Sequence, residues 1–140
     1  MNMNKKGKFG TIYPQFTKQG AKAIKHLLKI KEGECTNALY RDDIGYIDIV
    51  WGENDPETNK GYGLKHIYEK HGSEIKRLGF DFATFIIIVV EYGKLSIKKS
   101  DSKKIILEGH SFRVVIQKTF DNNSKTFLLT AFDLTKKPKK

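Results

Sequence analysis

Residues 103–132, KKIILEGHSFRVVIQKTFDNNSKTFLLTAF, decide the fold. Three short runs rich in β-branched and aromatic residues alternate here with polar turns, a pattern typical of strands joined by tight connections. A similar short run lies just upstream. We therefore predict an antiparallel meander of four strands, at residues 94–98, 103–107, 112–118 and 126–132.

Helical patterns precede this meander. In residues 21–31 the apolar side chains recur every three or four positions, which predicts an amphipathic helix with Thr17 as its N-cap and Gly33 as its end. A shorter helix is predicted at residues 64–71, ended by the glycine that follows it. Residues 81–92 favour a third helix, although their β-branched side chains would also suit a buried strand.

A hairpin and a long loop separate the first two helices. Residues 36–51 alternate as two strands do, with turn residues at 42–45. Residues 52–63 contain so many Gly, Asn, Asp and Pro that no regular element is expected there. Helices first and strands afterwards predict an α+β fold, with the helices on one face of a single sheet and the other face free for a ligand.

Length and charge narrow the possibilities further. A chain of 140 residues corresponds to one domain, so residues 1–140 are predicted to fold as a single unit. Residues 1–10 and 135–140 lack apolar periodicity and are expected to be mobile ends. Lys and Arg number 26 against 16 Asp and Glu, which gives a net charge of +10. This excess indicates a polyanionic partner.

Other classes of protein are excluded. The lone Cys35 rules out an internal disulfide framework and a zinc site built on several thiolates. The longest apolar run, residues 85–90, is far shorter than the ~20 residues of a membrane-spanning helix. Residues 1–10 lack the apolar stretch of a signal peptide, and the Gly-x-Gly at 61–63 matches no nucleotide-binding fingerprint. We expect no cofactor and no membrane association.

The densest group of chemically active side chains lies at residues 60–72, KGYGLKHIYEKHG. Helical geometry places His71 on the apolar stripe and His66 on the far side, exposed beside Lys70, so the two histidines need not share a role. Their separation of five residues is not the i, i+4 spacing of a helical zinc site, so no metal site is predicted. The basic residues around them are Lys60, Lys65 and Lys70.

This combination suits chemistry on phosphates. Histidine is the side chain that transfers protons near neutral pH, and the lysines would attract a phosphate. Arg113 and Lys118 on a neighbouring strand are further candidate phosphate ligands. Thr130 would contribute its hydroxyl only if its face of the sheet is the open one. The structural alternatives are a solvated His66, a helix-end His71 and a threonine present for strand propensity.

Four stretches carry a resemblance to a known family: DIVWG at 48–52, GYGLKHI at 61–67, EKHG at 69–72 and LTAF at 129–132. Together they resemble the phage-associated barnase, EndoU, colicin and RelE-like nucleases, which are small toxin-type endoribonucleases. The resemblance covers roughly residues 46–132. Related toxins often place a tyrosine two residues after the final-strand threonine, where this chain has Phe132.

The resemblance implies a barnase-like fold, with N-terminal helices on a twisted antiparallel sheet of four or five strands, and metal-independent cleavage of RNA. It assigns catalytic roles to His66, His71 and Thr130. The phosphate ligand stays open among Lys65, Lys70, Arg113 and Lys118. From their exposure and charge, we expect His66 to act directly and His71 to orient the site or anchor the helix.

The leading hypothesis is an endoribonuclease that forms a 2′,3′-cyclic phosphate and acts in the cytoplasm, whether made there or delivered from another cell or a phage. Its partners would be RNA and an acidic immunity or antitoxin protein that covers the basic cleft. One rival is a non-enzymatic RNA- or DNA-binding module, since charge and aromatic residues also describe a stacking platform. The other is a structural domain kept soluble by its lysines.

Overall fold

The structure is a computed structural model that describes residues 5–134. Its helices are α1 (Gly20–Ile30), α2 (Gly63–Arg77) and α3 (Phe82–Tyr92), with a short 3₁₀ turn at Pro14–Phe16. Its strands are β1 (Lys6–Gly7), β2 (Gly10–Thr11), β3 (Glu34–Arg41), β4 (Gly45–Val50), β5 (Glu53–Asn54), β6 (Gly61–Tyr62), β7 (Lys94–Leu95), β8 (Lys104–Glu108), β9 (Phe112–Phe120) and β10 (Asn123–Asp133). The predicted α+β class is confirmed.

One sheet of six strands, in the order β3-β4-β10-β9-β8-β7, forms the centre of the fold. The predicted meander is confirmed, because β7 to β10 pair antiparallel in sequence order. The prediction of an antiparallel sheet of four or five strands is wrong, because β10 lies parallel to β4, with Phe127 opposite Asp48. This contact joins the hairpin β3-β4 to the meander, so both share one hydrophobic core.

The register of β9 and β10 assigns their side chains to two faces. Val114 and Ile116 lie opposite Ala131 and Leu128 and belong to the core, to which all three helices contribute buried side chains. A register shift between Leu128 and Thr130 inserts one extra residue into β10. Thr130 therefore points away from the core. We call the side opposite the core the outer face; it carries Thr130, Phe132, Arg113, Val115 and Gln117.

Helix α2 packs against β10 and is longer than expected. The predicted end at Gly72 is wrong, because α2 continues to Arg77. A Cβ at Gly72 would meet only the Tyr68 ring, at ordinary contact distance, so nothing there requires glycine. Ile75 is fully buried in the core, and its burial stabilises the additional turn.

The ends of α1 also differ from the prediction. Gln19 occupies the N-cap position and no side chain caps it, whereas the Thr17 hydroxyl donates to the carbonyl of Pro14 in the 3₁₀ turn. The helix ends at Lys31, which adopts a left-handed conformation and donates its backbone N–H to Leu27. The apolar stripe itself is confirmed, because Ala23, Ile24 and Leu27 are fully buried.

The third helix is confirmed, and its start explains why a β-branched run stays helical. The Asp81 carboxylate accepts the backbone N–H of Thr84 at 3.2 Å, which is an N-cap. Phe85, Ile86 and Val89 are buried against the core. Between residues 5 and 134 no helix is long and apolar enough to span a membrane.

The described part of the N-terminal segment, from residue 5 onward, is paired and packs against the sheet. Strands β1 and β2 form a small hairpin, with Lys6 opposite Thr11. Between them, the Phe9 ring lies 4.6 Å from Phe120 and 5.6 Å from Phe127, measured between ring centroids. Residues 1–4 and 135–140, the rest of the two predicted ends, lie outside the described residues.

Candidate active site

The two histidines of α2 lie side by side. Their ring centroids are 6.0 Å apart and the ring planes meet at 83°. The sequence analysis placed them on different faces of the helix, and their positions along it do differ by five residues. The imidazole rings nevertheless come into contact, so both belong to one site.

His66 is buried, with only 6% of its surface exposed, so the prediction of an exposed His66 is wrong. The reason lies outside the helix: β5 and β6 form a hairpin that brings Asn54 onto this side of α2. The Asn54 side-chain oxygen lies 2.8 Å from Nδ1 of His66, and the Asn54 amide donates to Glu69 at 3.0 Å. Because the amide nitrogen faces Glu69, the oxygen faces His66, so Nδ1 of His66 carries the hydrogen.

The surroundings of His66 favour the neutral imidazole. Burial, with the nearby charges of Lys70 and His71, lowers the pKa of His66 from 6.5 to about 4. A histidine with this pKa is uncharged at neutral pH and hydrogen-bonded through Nδ1. It is suited to fixing the geometry of the site.

This lowered pKa links His66 to the stability of the fold at acidic pH. Because the pKa is lower in the folded state, the stabilising contribution is present above pH 6.5 and is lost as the pH falls from 6.5 through 4. Between pH 7.5 and pH 5 we expect the free energy of unfolding to fall by about 2 kcal/mol through this group. Urea unfolding across that range measures the effect.

The matched variants for this measurement are His66→Gln and His110→Gln. His66→Gln should remove most of the acid sensitivity, because glutamine does not titrate. His110 is exposed, so its replacement should leave the pH profile unchanged. Identical profiles for the wild type and His66→Gln would refute this account of His66.

His71 is held by a carboxylate and an aromatic ring. Its Nδ1 lies 2.6 Å from Oε1 of Glu74, and the His71 side chain is 12% exposed. The imidazole stacks on Phe132 of β10, with centroids 5.3 Å apart and planes at 24°. An ionised Glu74 only accepts, so Nδ1 of His71 donates to it, and in the neutral imidazole the lone pair is then on Nε2. This arrangement orients a proton acceptor.

Contact with Phe132 brings His71 to the outer face of the sheet. Phe132 lies directly opposite Arg113 on β9, and Thr130 lies two residues before it on the same face. The guanidinium of Arg113 donates to Oε2 of Glu108 through Nε at 3.1 Å and Nη2 at 2.8 Å. Lys99 binds the same carboxylate oxygen at 2.9 Å. The cationic Arg113 therefore lies on the strand beside Phe132, the ring on which His71 stacks.

Thr130 carries a hydroxyl with no partner. Its Oγ1 is shielded from solvent and has no hydrogen bond among residues 5–134. Buried hydroxyls are seldom left unsatisfied, because each costs about 1–3 kcal/mol. Such a group on the outer face is a donor available to a ligand once neighbouring side chains move.

The candidate lysines occupy three different places. Lys70 is exposed on α2, and its charge contributes to the lowered pKa of His66. Lys60 and Lys65 line a cleft of about 570 Å³ beside β5 and β6. Lys118 alternates with Gln117 on β9, so the register places it on the face opposite Arg113. The structure thus brings Lys70 and Arg113 near the histidines and does not bring Lys118 there.

Asn54, Glu74 and Glu108 take part in the site and were missed in the sequence analysis. Glu74 follows His71 by three residues, the spacing of neighbours on a helix, and extending α2 beyond Gly72 would have revealed it. Asn54 lies in a stretch rich in loop residues and gave no signal of its own. Within the described range, no cluster of three His, Cys, Asp or Glu side chains could hold a metal ion.

Comparison with known proteins assigns the chain to a family. A family model described as phage-Barnase-EndoU-ColicinE5/D-RelE like nuclease1, PBECR1, matches residues 38–138. This range includes α2, β9 and β10, which carry both histidines, Arg113 and Thr130. No curated protein and no solved structure matches the chain. Because the matched range covers most of the 140 residues, the chain belongs to the PBECR1 family of phage barnase-, EndoU-, colicin- and RelE-like nucleases.

Proposed function

We propose that this nuclease is a metal-independent endoribonuclease that cleaves RNA by attack of the ribose 2′-OH on the adjacent phosphorus. One observation carries the proposal: His71, oriented by Glu74, stacks on Phe132 at the outer face that also carries Thr130 and Arg113. A proton acceptor, a hydroxyl donor and a cation at one place are the groups that this reaction needs.

His71 is the general base in this proposal. Its Nδ1 is engaged by Glu74, so Nε2 accepts the 2′-OH proton, and the carboxylate stabilises the imidazolium that forms. His66 acts as a positioning residue, because it is buried, held by Asn54 and neutral at physiological pH. These roles reverse the sequence-based assignment, which rested on an exposed His66.

Thr130, Arg113 and Lys70 are the groups proposed to stabilise the phosphorane. The Thr130 hydroxyl lacks a partner in the free protein, so a phosphate oxygen would satisfy it. The Arg113 guanidinium uses Nε and Nη2 on Glu108, and this ion pair fixes its position on the sheet. Lys70 is exposed and forms no ion pair among residues 5–134, so its ammonium is free for a phosphate.

The reaction balances as a transesterification. The 2′ oxygen forms a bond to phosphorus as its proton passes to Nε2 of His71, and the bond from phosphorus to the 5′ oxygen breaks. The departing oxygen takes a proton from water, and the resulting hydroxide takes the proton from the imidazolium. The products are a 2′,3′-cyclic phosphate and a 5′-OH fragment, without change in the number of protons.

Cleavage of RNA in excess EDTA tests this proposal. We expect total RNA to be cut, with fragments that end in a cyclic phosphate and begin with a 5′-OH. An otherwise identical RNA with 2′-O-methyl groups should remain intact, because the nucleophile is blocked. A requirement for Mg²⁺ or Mn²⁺, 3′-OH products, or cleavage of the methylated RNA would contradict it.

A further inference from the structure

Two exposed tyrosines form a pair on the outer face, away from the histidines. Tyr40 of β3 lies directly opposite Tyr46 of β4, and the ring centroids are 5.1 Å apart. Their exposed fractions are 46% and 43%. About half of each side chain is therefore accessible, and the two rings together offer an aromatic surface that a ligand could contact.

A lysine is positioned over both rings. The ammonium nitrogen of Lys18 lies 5.0 Å from the Tyr40 centroid and 5.9 Å from that of Tyr46. Lys18 has a φ of 59°, unusual for a residue with a side chain, and its backbone N–H donates to Asn37. Within residues 5–134 it forms no ion pair. Its charge is therefore held in place without a carboxylate to neutralise it.

The register connects this group, which we call the tyrosine patch (Lys18, Tyr40 and Tyr46), with the candidate active site. Tyr46 alternates with Asp48, which lies opposite Phe127 of β10, so the patch and Thr130 share the outer face. Strand spacing and rise place the patch about 20 Å from Thr130. One nucleotide cannot span that distance, whereas a strand of several nucleotides can.

We propose that the tyrosine patch is a second binding site for single-stranded RNA, which holds bases remote from the cleaved phosphate. This inference rests on the proposed function and adds to it the requirement for an extended substrate. The tyrosine rings would stack on bases and the Lys18 ammonium would contact a phosphate between them. Stacking of this kind tolerates any base, because every base presents an aromatic face.

Charge favours RNA over a protein as the occupant. The chain carries a net charge of +10. The cleft of about 1000 Å³ beside Tyr40 is lined by the basic Lys18, Lys22 and Arg41 and by the acidic Asp42, Asp43 and Glu91, so the local charge that favours RNA is that of Lys18, whose ammonium lies over both tyrosine rings. Lys18 forms no ion pair within residues 5–134, so its ammonium has no carboxylate partner and is available to a phosphate. An acidic protein is the competing occupant, and the experiment below separates the two.

Binding of an uncleavable oligomer tests the inference apart from catalysis. The probe is a fluorescent 2′-O-methyl RNA of 12 nucleotides, and fluorescence anisotropy gives its Kd. We expect the double variant Tyr40→Ser/Tyr46→Ser to bind at least roughly 10-fold more weakly. Tyr40→Phe/Tyr46→Phe should bind as the wild type does, because phenyl rings also stack.

Two further variants complete the design. Tyr92→Ser is the matched control, since Tyr92 is 68% exposed and lies outside the patch; its affinity should equal that of the wild type. Lys18→Met should reduce the slope of log K against log salt by about 0.7, the contribution of one phosphate contact on a single strand. Cleavage of a dinucleotide should be unchanged in the double serine variant, because a dinucleotide does not reach the patch.

The outcomes are distinct. No binding of the oligomer by the wild type would overturn the second site. Unchanged affinity of the double serine variant would also overturn it, and would point to a protein as the occupant of the tyrosine patch. Failure of the proposed function would appear separately, as absence of RNA cleavage in EDTA by a protein that still binds the methylated oligomer through the patch.

Discussion

Replacement of His71 by glutamine is expected to reduce RNA cleavage by roughly 100- to 10,000-fold, the range for loss of a general base. Glutamine retains an N–H for Glu74 but cannot accept the 2′-OH proton at neutral pH. The lost stacking on Phe132 should lower the free energy of unfolding by no more than about 1–2 kcal/mol. Initial rates on a defined RNA and urea unfolding, measured on the same preparation, check both expectations.

His66→Gln is the matched control, with the same substitution on the neighbouring turn of α2. We expect it to lose less activity than His71→Gln, because His66 acts through the geometry of the site and not on the substrate. The opposite ranking, an active His71→Gln with an inactive His66→Gln, would return the general base to His66. Full activity in both would end the assignment of catalysis to this pair.

The largest effect on stability is expected at Lys125. Its ammonium binds Oδ2 of Asp48 at 2.6 Å and also Oε1 of Glu34, which is 3% exposed. Burial alone would lower the pKa of Lys125, but the hydrogen bonds to Asp48 and Glu34 outweigh it and raise the pKa. Lys125→Met leaves two carboxylates without their cation. We expect a loss of about 3–5 kcal/mol, a large share of the stability of a small domain.

Lys8→Met provides the comparison for this variant. Lys8 pairs with Asp121 at 2.9 Å, but both side chains are more than half exposed. Solvent screens such a pair, so its removal should cost at most about 1 kcal/mol. Urea denaturation at pH 7 measures both variants. A Lys125→Met protein no less stable than Lys8→Met would show that the buried network contributes little.

The sequence identified the elements of this fold better than it identified their neighbours. The spacing of apolar residues located α1, α3 and the strands of the meander, because each of these elements buries one side and this burial leaves a periodic pattern in the local sequence. The parallel contact between Asp48 and Phe127 joins residues far apart in the chain, and no local pattern encodes such a pairing. The length of α2 was missed because Gly72 has a low helix propensity, which the burial of Ile75 overrides.

The candidate site shows the same division. Residue type and spacing singled out His66, His71 and Thr130. Their surroundings depended on tertiary structure: Asn54 reaches His66 from a separate hairpin, and the extra residue in β10 determines which face Thr130 occupies. The exposure of His66 was predicted from the apolar stripe of α2 alone. That stripe marks the side of α2 that faces the core and does not reveal that the β5-β6 hairpin covers a second side.

The parallel pairing of β4 with β10 also bears on when the protein becomes active during synthesis. Asp48 and Phe127 are 127 − 48 = 79 positions apart, so the middle of the sheet closes a long loop, and such contacts form late. His71 leaves the ribosome long before Thr130 and Phe132, its neighbours at the proposed site. A growing chain would thus hold its histidines without the strand that completes the site, and the synthesising cell would meet a working nuclease only after residue 132 had been translated and β10 had docked.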